Sequence, residues 1–369
     1  MTQQDWVTAA LKRPAILADL KLREWDILLR QARRAGLLGR LAYVVEDYGL
    51  WTAIPDSPRQ HLRSAAAMAD KVEREVRWEV DRIHRALRDF VDEVILLKGA
   101  AYVMAGLPPA RGRIFQDVDI LVPRAQLDEV ESVLLFHGWA GASSDRYDQR
   151  YYREWMHELP PVRHIERQAI LDIHHTILPL TARPRPDANR LRAGAIGIPD
   201  HPGLKVLAPT DMMLHSAVHL FYDGDFTRGL RDLADMDALL RHFGTDTAFW
   251  PALLASAHTH DLVRPLFYAL HYCAKVLGTP LPPEFLEDVR AAANPGATTL
   301  RAMDWLLARG LRPDHPTCAL PGSHVARQVL YVRSHWLRMP PLLLARHLAI
   351  KALRLHERGS GLEPSTPPL

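Results

Sequence analysis

The chain has 369 residues, of which 48% are hydrophobic and 24% are charged, with a formal net charge of +3. This composition is typical of a globular protein with enough apolar material for two domains or one large one, and the charge gives no reason to expect nucleic-acid binding. Cys273 and Cys318 form no CxxC pair or zinc-type cluster, so we expect isolated thiols in a reducing cytoplasm. We also expect no signal peptide and no membrane span, because no stretch of about 18 apolar residues occurs.

The first part of the chain, residues 1–90, is predicted to be an N-terminal helical segment. Apolar residues recur at helical spacing from Ile16 to Leu29. After the Pro55–Pro58 break, a sequence rich in Ala, Glu and Arg predicts one long helix from about Arg59 to Phe90.

Residues 91–178 have the pattern of a small α/β core. The apolar run Val94–Leu97, closed by Lys98-Gly99, predicts a buried strand followed by a short helix. A second strand is predicted over Val118–Val122, followed by an amphipathic helix over Ala125–Phe136. Further strands are predicted over 147–158 and 168–174.

The rest of the chain is predicted to be mostly helical. Residues 179–208, rich in Pro, Arg and Gly, indicate an irregular connection, and residues 209–358 a C-terminal helical domain with helices near 247–258, 261–276, 295–309, 322–337 and 341–357. The polar tail 359–369 is predicted to be disordered. The predicted fold class is therefore α+β, with a small mixed β-sheet core between an N-terminal helical segment and a larger all-helical region.

Two carboxylates mark the start of the second predicted strand. Because alternate residues of a strand share a face, Asp117 and Asp119 point to the same side. Such a pair repels unless a cation lies between the two groups, and a hard divalent ion with oxygen ligands would supply it. An Asp-x-Asp pattern alone also occurs at solvated strand ends, so the neighbouring motifs decide whether it indicates a metal site.

Three further features accompany the Asp117–Asp119 pair in the sequence: a turn, a basic residue and a third carboxylate. Lys98, Gly99 and Ala100 form a strand-to-helix turn that could offer backbone N–H groups and one positive charge to a phosphate. Arg113 could reach the same phosphates, and Asp172 places a carboxylate on another strand. Taken singly, the three features are also explained by an ordinary turn, a solvated arginine and a strand-end carboxylate in water.

The order of these motifs resembles the DNA polymerase beta-like nucleotidyltransferase superfamily, and more narrowly a bacterial group of uncharacterised nucleotidyltransferases with relatives among toxin–antitoxin systems. The matching order is KG, R-x-x-x-DVDILV, a helix ending in His-Gly-Trp, and LDIHH, over roughly residues 90–240. The resemblance implies that Asp117 and Asp119 are a metal-binding pair, that Asp172 is the third carboxylate and that Lys98-Gly99 is the phosphate-binding turn. Many members have Gly-Ser or Gly-Gly there, where this chain has Gly99-Ala100.

Further candidates lie beside Asp172 and in the helical half. His174 should share a face with Asp172, where it could contact substrate or hold that carboxylate. The Arg228–Leu233 run resembles the family's second block, which implies that Arg231 and Asp232 face the nucleotide. A buried histidine–aspartate hydrogen bond between two helices is the alternative for that block.

These observations favour an enzyme that moves a nucleoside monophosphate from a nucleoside triphosphate, such as ATP, to a hydroxyl-type acceptor and releases pyrophosphate. Asp117, Asp119 and Asp172 would be the catalytic and metal-binding residues, with Mg²⁺ as the expected ion and Mn²⁺ as the alternative. A second hypothesis is a nucleotide-binding scaffold without turnover, for example a regulatory or toxin–antitoxin partner. The sequence leaves open whether the acceptor is a small molecule or a macromolecule, and also the oligomeric state.

Overall fold

The structure, a computed structural model, describes residues 4–141 and 152–340. Within these ranges helices precede, flank and follow one mixed β-sheet, which confirms the predicted α+β class. The strands are β1 (Val94–Leu97), β2 (Val118–Leu121), β3 (Trp139–Gly141), β4 (Val162–His164), β5 (Ile170–His174), β6 (Ile196–Ile198) and β7 (His201–Val206).

The α-helices extend from the first described residues to Arg338. They are α1 (Trp6–Lys12), α2 (Leu22–Ala35), α3 (Leu38–Asp47), α4 (Asp56–Leu87), α5 (Lys98–Met104), α6 (Leu127–Phe136), α7 (Ala188–Ala193), α8 (Pro209–Asp223), α9 (Gly229–Phe243), α10 (Phe249–Thr259), α11 (Val263–Tyr272), α12 (Pro283–Ala293), α13 (Ala297–Gly310) and α14 (Ser323–Arg338). Short 3-10 turns cover Pro14–Asp19, Pro108–Ala110 and Arg124–Gln126, and a π-helical turn covers Cys273–Leu277.

The sheet has the strand order β3-β4-β5-β2-β1-β7-β6. Strand β2 runs antiparallel to β1 and parallel to β5, so the end of β1 and the starts of β2 and β5 meet at one edge. Leu97 lies opposite Asp119, and Asp119 lies opposite Asp172. This register places the predicted site residues of three strands side by side.

Two predictions of local structure were wrong. Residues 196–206, assigned to an irregular connection, form β6 and β7, and β7 pairs in parallel with β1. Pro202 and Gly203 are uncommon inside strands and obscured the strand pattern. The alternation of buried Leu204 and Val206 with the less buried Lys205 is the remaining signal. The strand predicted over 147–158 lies partly outside the described residues; positions 152–155 are helical, and only Glu158 forms an isolated bridge, to His174.

The helices on both sides share one apolar core with the sheet. Helix α4 is a single 32-residue helix whose buried stripe includes Leu62, Val76 and Ile83, and it packs against α3, α5, α6 and β2. Helix α8 contacts α5 as well as α9, α10, α11 and α14. One cluster of buried residues therefore extends from Val7 to Leu330. The helix predicted over 341–357 and the tail 359–369 lie outside the described residues, and α12 was not predicted.

Across the described ranges, every helix is either too short or too polar to cross a lipid bilayer.

A close backbone contact fixes the loop that leads into β2. Gly112 has φ of +73°, and a Cβ there would lie 2.5 Å from the backbone N of Arg40 at the start of α3. The carbonyl oxygen of Gly112 would in turn lie 2.4 Å from a Cβ on Gly39. The N-terminal helices therefore hold the segment that precedes Asp117.

We expect Gly112→Ala to lower the free energy of unfolding by about 2–5 kcal/mol, because the left-handed backbone and the clash with α3 both oppose a side chain. The matched control is Gly106→Ala, since Gly106 has φ of +64° but nothing within 4 Å of a Cβ, so only the backbone cost of about 1–2 kcal/mol applies. Chemical denaturation of both variants measures the difference. Equal losses in the two variants would show that the contact with α3 contributes nothing.

Candidate active site

The three predicted carboxylates gather where β2 and β5 begin. Asp119 and Asp172 are direct partners in the parallel ladder, and Asp117 immediately precedes β2. Asp119 is 2% exposed, Asp172 is half-buried and Asp117 is exposed. The charge of Asp119 raises the pKa of both other groups, and that of Asp117 raises the pKa of Asp172, so the three form one acidic cluster.

Asp119 is held by two donors that both reach its Oδ1 atom. The Lys98 Nζ donates at 2.8 Å and the His174 Nε2 at 3.0 Å. Burial by itself raises the pKa of Asp119, but the Lys98 ammonium and the hydrogen bond from His174 outweigh it and hold the pKa well below its usual range. Asp119 is therefore ionised at neutral pH although its side chain is buried.

Lys98 reaches Asp119 from an unusual backbone conformation. Its φ is +44°, in the left-handed region that is uncommon for residues other than glycine. The turn bends the chain from β1 into α5 and directs the ammonium across to β2. Burial lowers the pKa of Lys98, but the carboxylate of Asp119 more than compensates and raises it, so Lys98 is charged.

Gly99 and Ala100 lie on the buried side of this turn. A Cβ on Gly99 would be 2.4 Å from Cδ1 of Phe115, so the ring of Phe115 lies directly on the glycine. Ala100 is 1% exposed. Packing thus explains both small residues, and their predicted contact with phosphate stays a prediction.

Within the part of the chain that the structure describes, Asp172 forms no ion pair like that between Asp119 and Lys98. Its Oδ1 is buried and makes no hydrogen bond within the described residues. Burial, followed by the negative charges of Asp119 and Glu158, raises the pKa of Asp172 to about 7. At Asp117, partial desolvation and the charge of Asp119 likewise raise the pKa, against Lys98 and Arg113. The cluster thus carries excess negative charge.

The donor set of this cluster fits a hard divalent cation. Among the described residues, both hydrogen bonds to Asp119 fall on Oδ1 rather than Oδ2, and the Oδ1 atom of Asp172 is buried without a partner. Carboxylate oxygens are the protein ligands that Mg²⁺ and Mn²⁺ prefer. A cation there would relieve the repulsion that raises the pKa of Asp172.

Arg113 is paired with a carboxylate of the helical half. Its guanidinium contacts Asp235 on α9, and Arg40 donates to the other oxygen of Asp235 at 2.8 Å. The guanidinium also lies over the rings of Tyr102 and Phe115, at 5.6 and 5.3 Å from their centroids. Arg113 therefore joins α3 and α9 to the loop before β2, and its reach to a phosphate stays a prediction.

Arg231 and Asp232 lie at the start of α9, and their predicted contact with a nucleotide stays a prediction. The Nε and Nη2 atoms of Arg231 donate to Asp232 at 2.9 and 2.7 Å. Burial raises the pKa of Asp232, but Arg231, His219 and Arg113 outweigh it and lower the pKa. The charge of Arg231 also lowers the pKa of Asp117.

Sequence reasoning missed part of the site and misjudged one contact. His174 donates to Asp119 on the neighbouring strand, whereas the sequence suggested Asp172 as its partner. His157 and Glu158 approach His174, and the pKa of buried His215 is lowered well below normal by burial and then by Lys98 and His174. No motif links these residues, because the fold brings them together from separate segments.

The protein is therefore an α+β protein with three carboxylates where the parallel strands β2 and β5 begin side by side. This is the class of protein that the order of the sequence motifs indicated. The family model for uncharacterised nucleotidyltransferases matches residues 21–278, and the chain belongs to that family. No curated protein matches the chain. The matched region includes the acidic triad, the Lys98 turn and the start of α9.

The raised pKa of Asp172 predicts a pH-dependent effect of Asp172→Asn in metal-free buffer. The carboxyl group favours the folded state only while protonated, so its contribution is complete below pH of about 4 and is lost as the pH rises through about 7. The neutral amide avoids this loss. We therefore expect the variant to melt about 2–4 °C above the parent protein at pH 8, with a smaller difference at pH 5.

Calorimetry with a chelator present measures the effect. The control is Asp19→Asn, which removes a carboxylate from the exposed surface and should show no such trend. A gain for Asp172→Asn that is the same at both pH values would contradict the assignment of a raised pKa.

Proposed function

We propose that the protein is a metal-dependent nucleotidyltransferase, which transfers a nucleoside monophosphate from a nucleoside triphosphate to a hydroxyl-type acceptor and releases pyrophosphate. The observation that carries the proposal is the acidic triad of Asp117, Asp119 and Asp172, with one buried oxygen that has no partner in the described chain. Membership of a nucleotidyltransferase family supports the same reaction class.

The three carboxylates would have different tasks. Asp117 and Asp119 would hold the cations, with Mg²⁺ as the expected ion and Mn²⁺ as the alternative. When bound, the metal would neutralise charge on the phosphates and lower the pKa of the acceptor hydroxyl. A carboxyl with a pKa of about 7, such as that of Asp172, is suited to accept the proton of that hydroxyl near neutral pH.

The cationic residues would position the substrate around this cluster. Lys98 keeps Asp119 ionised, and its side chain is 19% exposed, so it would remain accessible to a phosphate. Arg231, whose charge acts on Asp117, would face the triphosphate from the start of α9. Backbone N–H groups of the Gly99-Ala100 turn would add phosphate contacts.

A nucleotide-binding scaffold without turnover is the second candidate, and one observation favours it. Lys98 and Arg113, the two cations predicted to bind phosphates, are each paired with a carboxylate of the protein itself. Catalysis requires that these side chains stabilise the transition state as well as the fold. A scaffold has no such requirement.

Pyrophosphate release distinguishes the two candidates. With Mg²⁺, a panel of nucleoside triphosphates and candidate acceptors, we expect the parent protein to release pyrophosphate and Asp117→Asn to reduce the rate at least about 100-fold. The exposed position of Asp117 predicts little change in melting temperature. Asp89→Asn, at a carboxylate 77% exposed, is the matched control and should retain the parent rate.

Nucleotide binding completes this test. Thermal shift with Mg²⁺ and nucleotide should stabilise the parent protein. If nucleotide raises the melting temperatures of parent and Asp117→Asn equally and neither releases pyrophosphate, the scaffold hypothesis is correct. If no nucleotide changes the melting temperature, both candidates fail.

A further inference from the structure

A second group of potential metal ligands lies beside the acidic triad and consists of His157, Glu158 and His174. The Oε2 atom of Glu158 is 3.4 Å from Nδ1 of His174 and 3.8 Å from Nε2 of His157. One ligand atom from each residue lies within 4.8 Å of the others. These three atoms therefore converge on one small volume.

The hydrogen bonding of His174 leaves one ring nitrogen without a donor or acceptor. His174 is fully buried, and its Nε2 faces a carboxylate oxygen of Asp119, so Nε2 must carry a proton. In the neutral imidazole, Nδ1 then presents a lone pair. That atom makes no hydrogen bond within the described residues, yet it faces the carboxylate of Glu158. These two electron-rich atoms repel each other unless a proton or a metal cation lies between them.

The separations fit a metal of the zinc type better than magnesium. With metal–ligand bonds of about 2.0–2.1 Å, tetrahedral coordination separates neighbouring ligand atoms by about 3.3–3.4 Å. The two separations that involve Glu158, 3.4 and 3.8 Å, are close to this value, and the third pair of ligand atoms lies within 4.8 Å. Two imidazoles and one carboxylate suit zinc, iron or cobalt, whereas Mg²⁺ prefers oxygen ligands alone.

The backbone holds these ligands in register. The N–H of His175 donates to the carbonyl of His157 at 2.9 Å, and the N–H of Leu159 donates to the carbonyl of Ile173 at 2.8 Å. The segment that carries His157 and Glu158 is therefore attached to the end of β5. The hydrogen bond from His174 to Asp119 has the form of the carboxylate contact that commonly orients a metal-bound histidine.

We propose that Nε2 of His157, Oε2 of Glu158 and Nδ1 of His174 bind one divalent transition-metal ion of the zinc type. This site lies beside the acidic triad and shares no ligand with it. Through the hydrogen bond between His174 and Asp119, the ion fixes the orientation of Asp119. The proposal does not depend on nucleotidyl transfer, because metal binding by these residues needs no nucleotide.

The competing explanation is a proton. A doubly protonated His174 between Asp119 and Glu158 would also supply the positive charge and would need no metal. It predicts that the protein binds no transition metal at these residues. Metal titration therefore decides between the two.

The experiment uses the full chain without a histidine tag, freed of metal by chelation and titrated with Co²⁺. We expect one Co²⁺ per chain with the visible absorption of a four- or five-coordinate ion, which Zn²⁺ displaces. Glu158→Gln and His157→Gln should each weaken the affinity at least about 100-fold. His61→Gln, at an exposed histidine of α4, is the control and should bind as the parent does.

A double variant separates this site from the acidic triad. Asp117→Asn with Asp172→Asn should retain Co²⁺ binding, even though it removes two of the three triad carboxylates. Circular dichroism checks that each variant is folded; if Glu158→Gln is not, His157→Gln, whose side chain is 18% exposed, decides. Absence of stoichiometric Co²⁺ binding, or binding that survives in His157→Gln and is lost in the double variant, would overturn the proposal.

Discussion

The organisation of the site depends on the charge of one buried carboxylate, that of Asp119. A buried ionised carboxylate is tolerated only with opposite charge and hydrogen bonds. Lys98 and His174 supply both, and they come from opposite sides: Lys98 follows β1, and His174 ends β5. These two donors reach the same oxygen because β2 lies between antiparallel β1 and parallel β5. The charge state of Asp119 therefore depends on the strand order of the sheet.

Asp172 occupies the equivalent position on the neighbouring strand, but the described residues give its Oδ1 atom no hydrogen-bond donor. It lies opposite Asp119 in the ladder, yet burial and the neighbouring negative charges raise its pKa to about 7, while that of Asp119 is held well below normal. Two carboxyl groups with pKa values moved in opposite directions can take different roles, one permanently charged and one able to exchange a proton near neutral pH. The difference arises from their surroundings, since the side chains are chemically identical.

The parts of the fold that depend on local patterns could be predicted from the sequence. Continuous apolar runs indicated β1 and β2, a composition rich in Ala, Glu and Arg indicated the long helix α4, and the spacing of Asp117 and Asp119 indicated a shared face. Strand β7 was missed because Pro202 and Gly203 interrupt its pattern. The pairs of Arg113 with Asp235 and of His174 with Asp119 could not be predicted, because each joins residues whose proximity depends on the complete tertiary fold.

These long-range pairs also indicate that the site needs the helices on both sides of the sheet as well as the sheet itself. The sheet carries the acidic triad, but the loop before Asp117 is held by Arg113, whose carboxylate partner Asp235 belongs to α9 and is shared with Arg40 of α3. Removing one partner of such a buried ion pair leaves an uncompensated charge, which is strongly destabilising. The sheet region alone would therefore lose the contacts that position Asp117. The family match over residues 21–278 begins before α2 and ends after α11, so it includes the helices at both ends of this network.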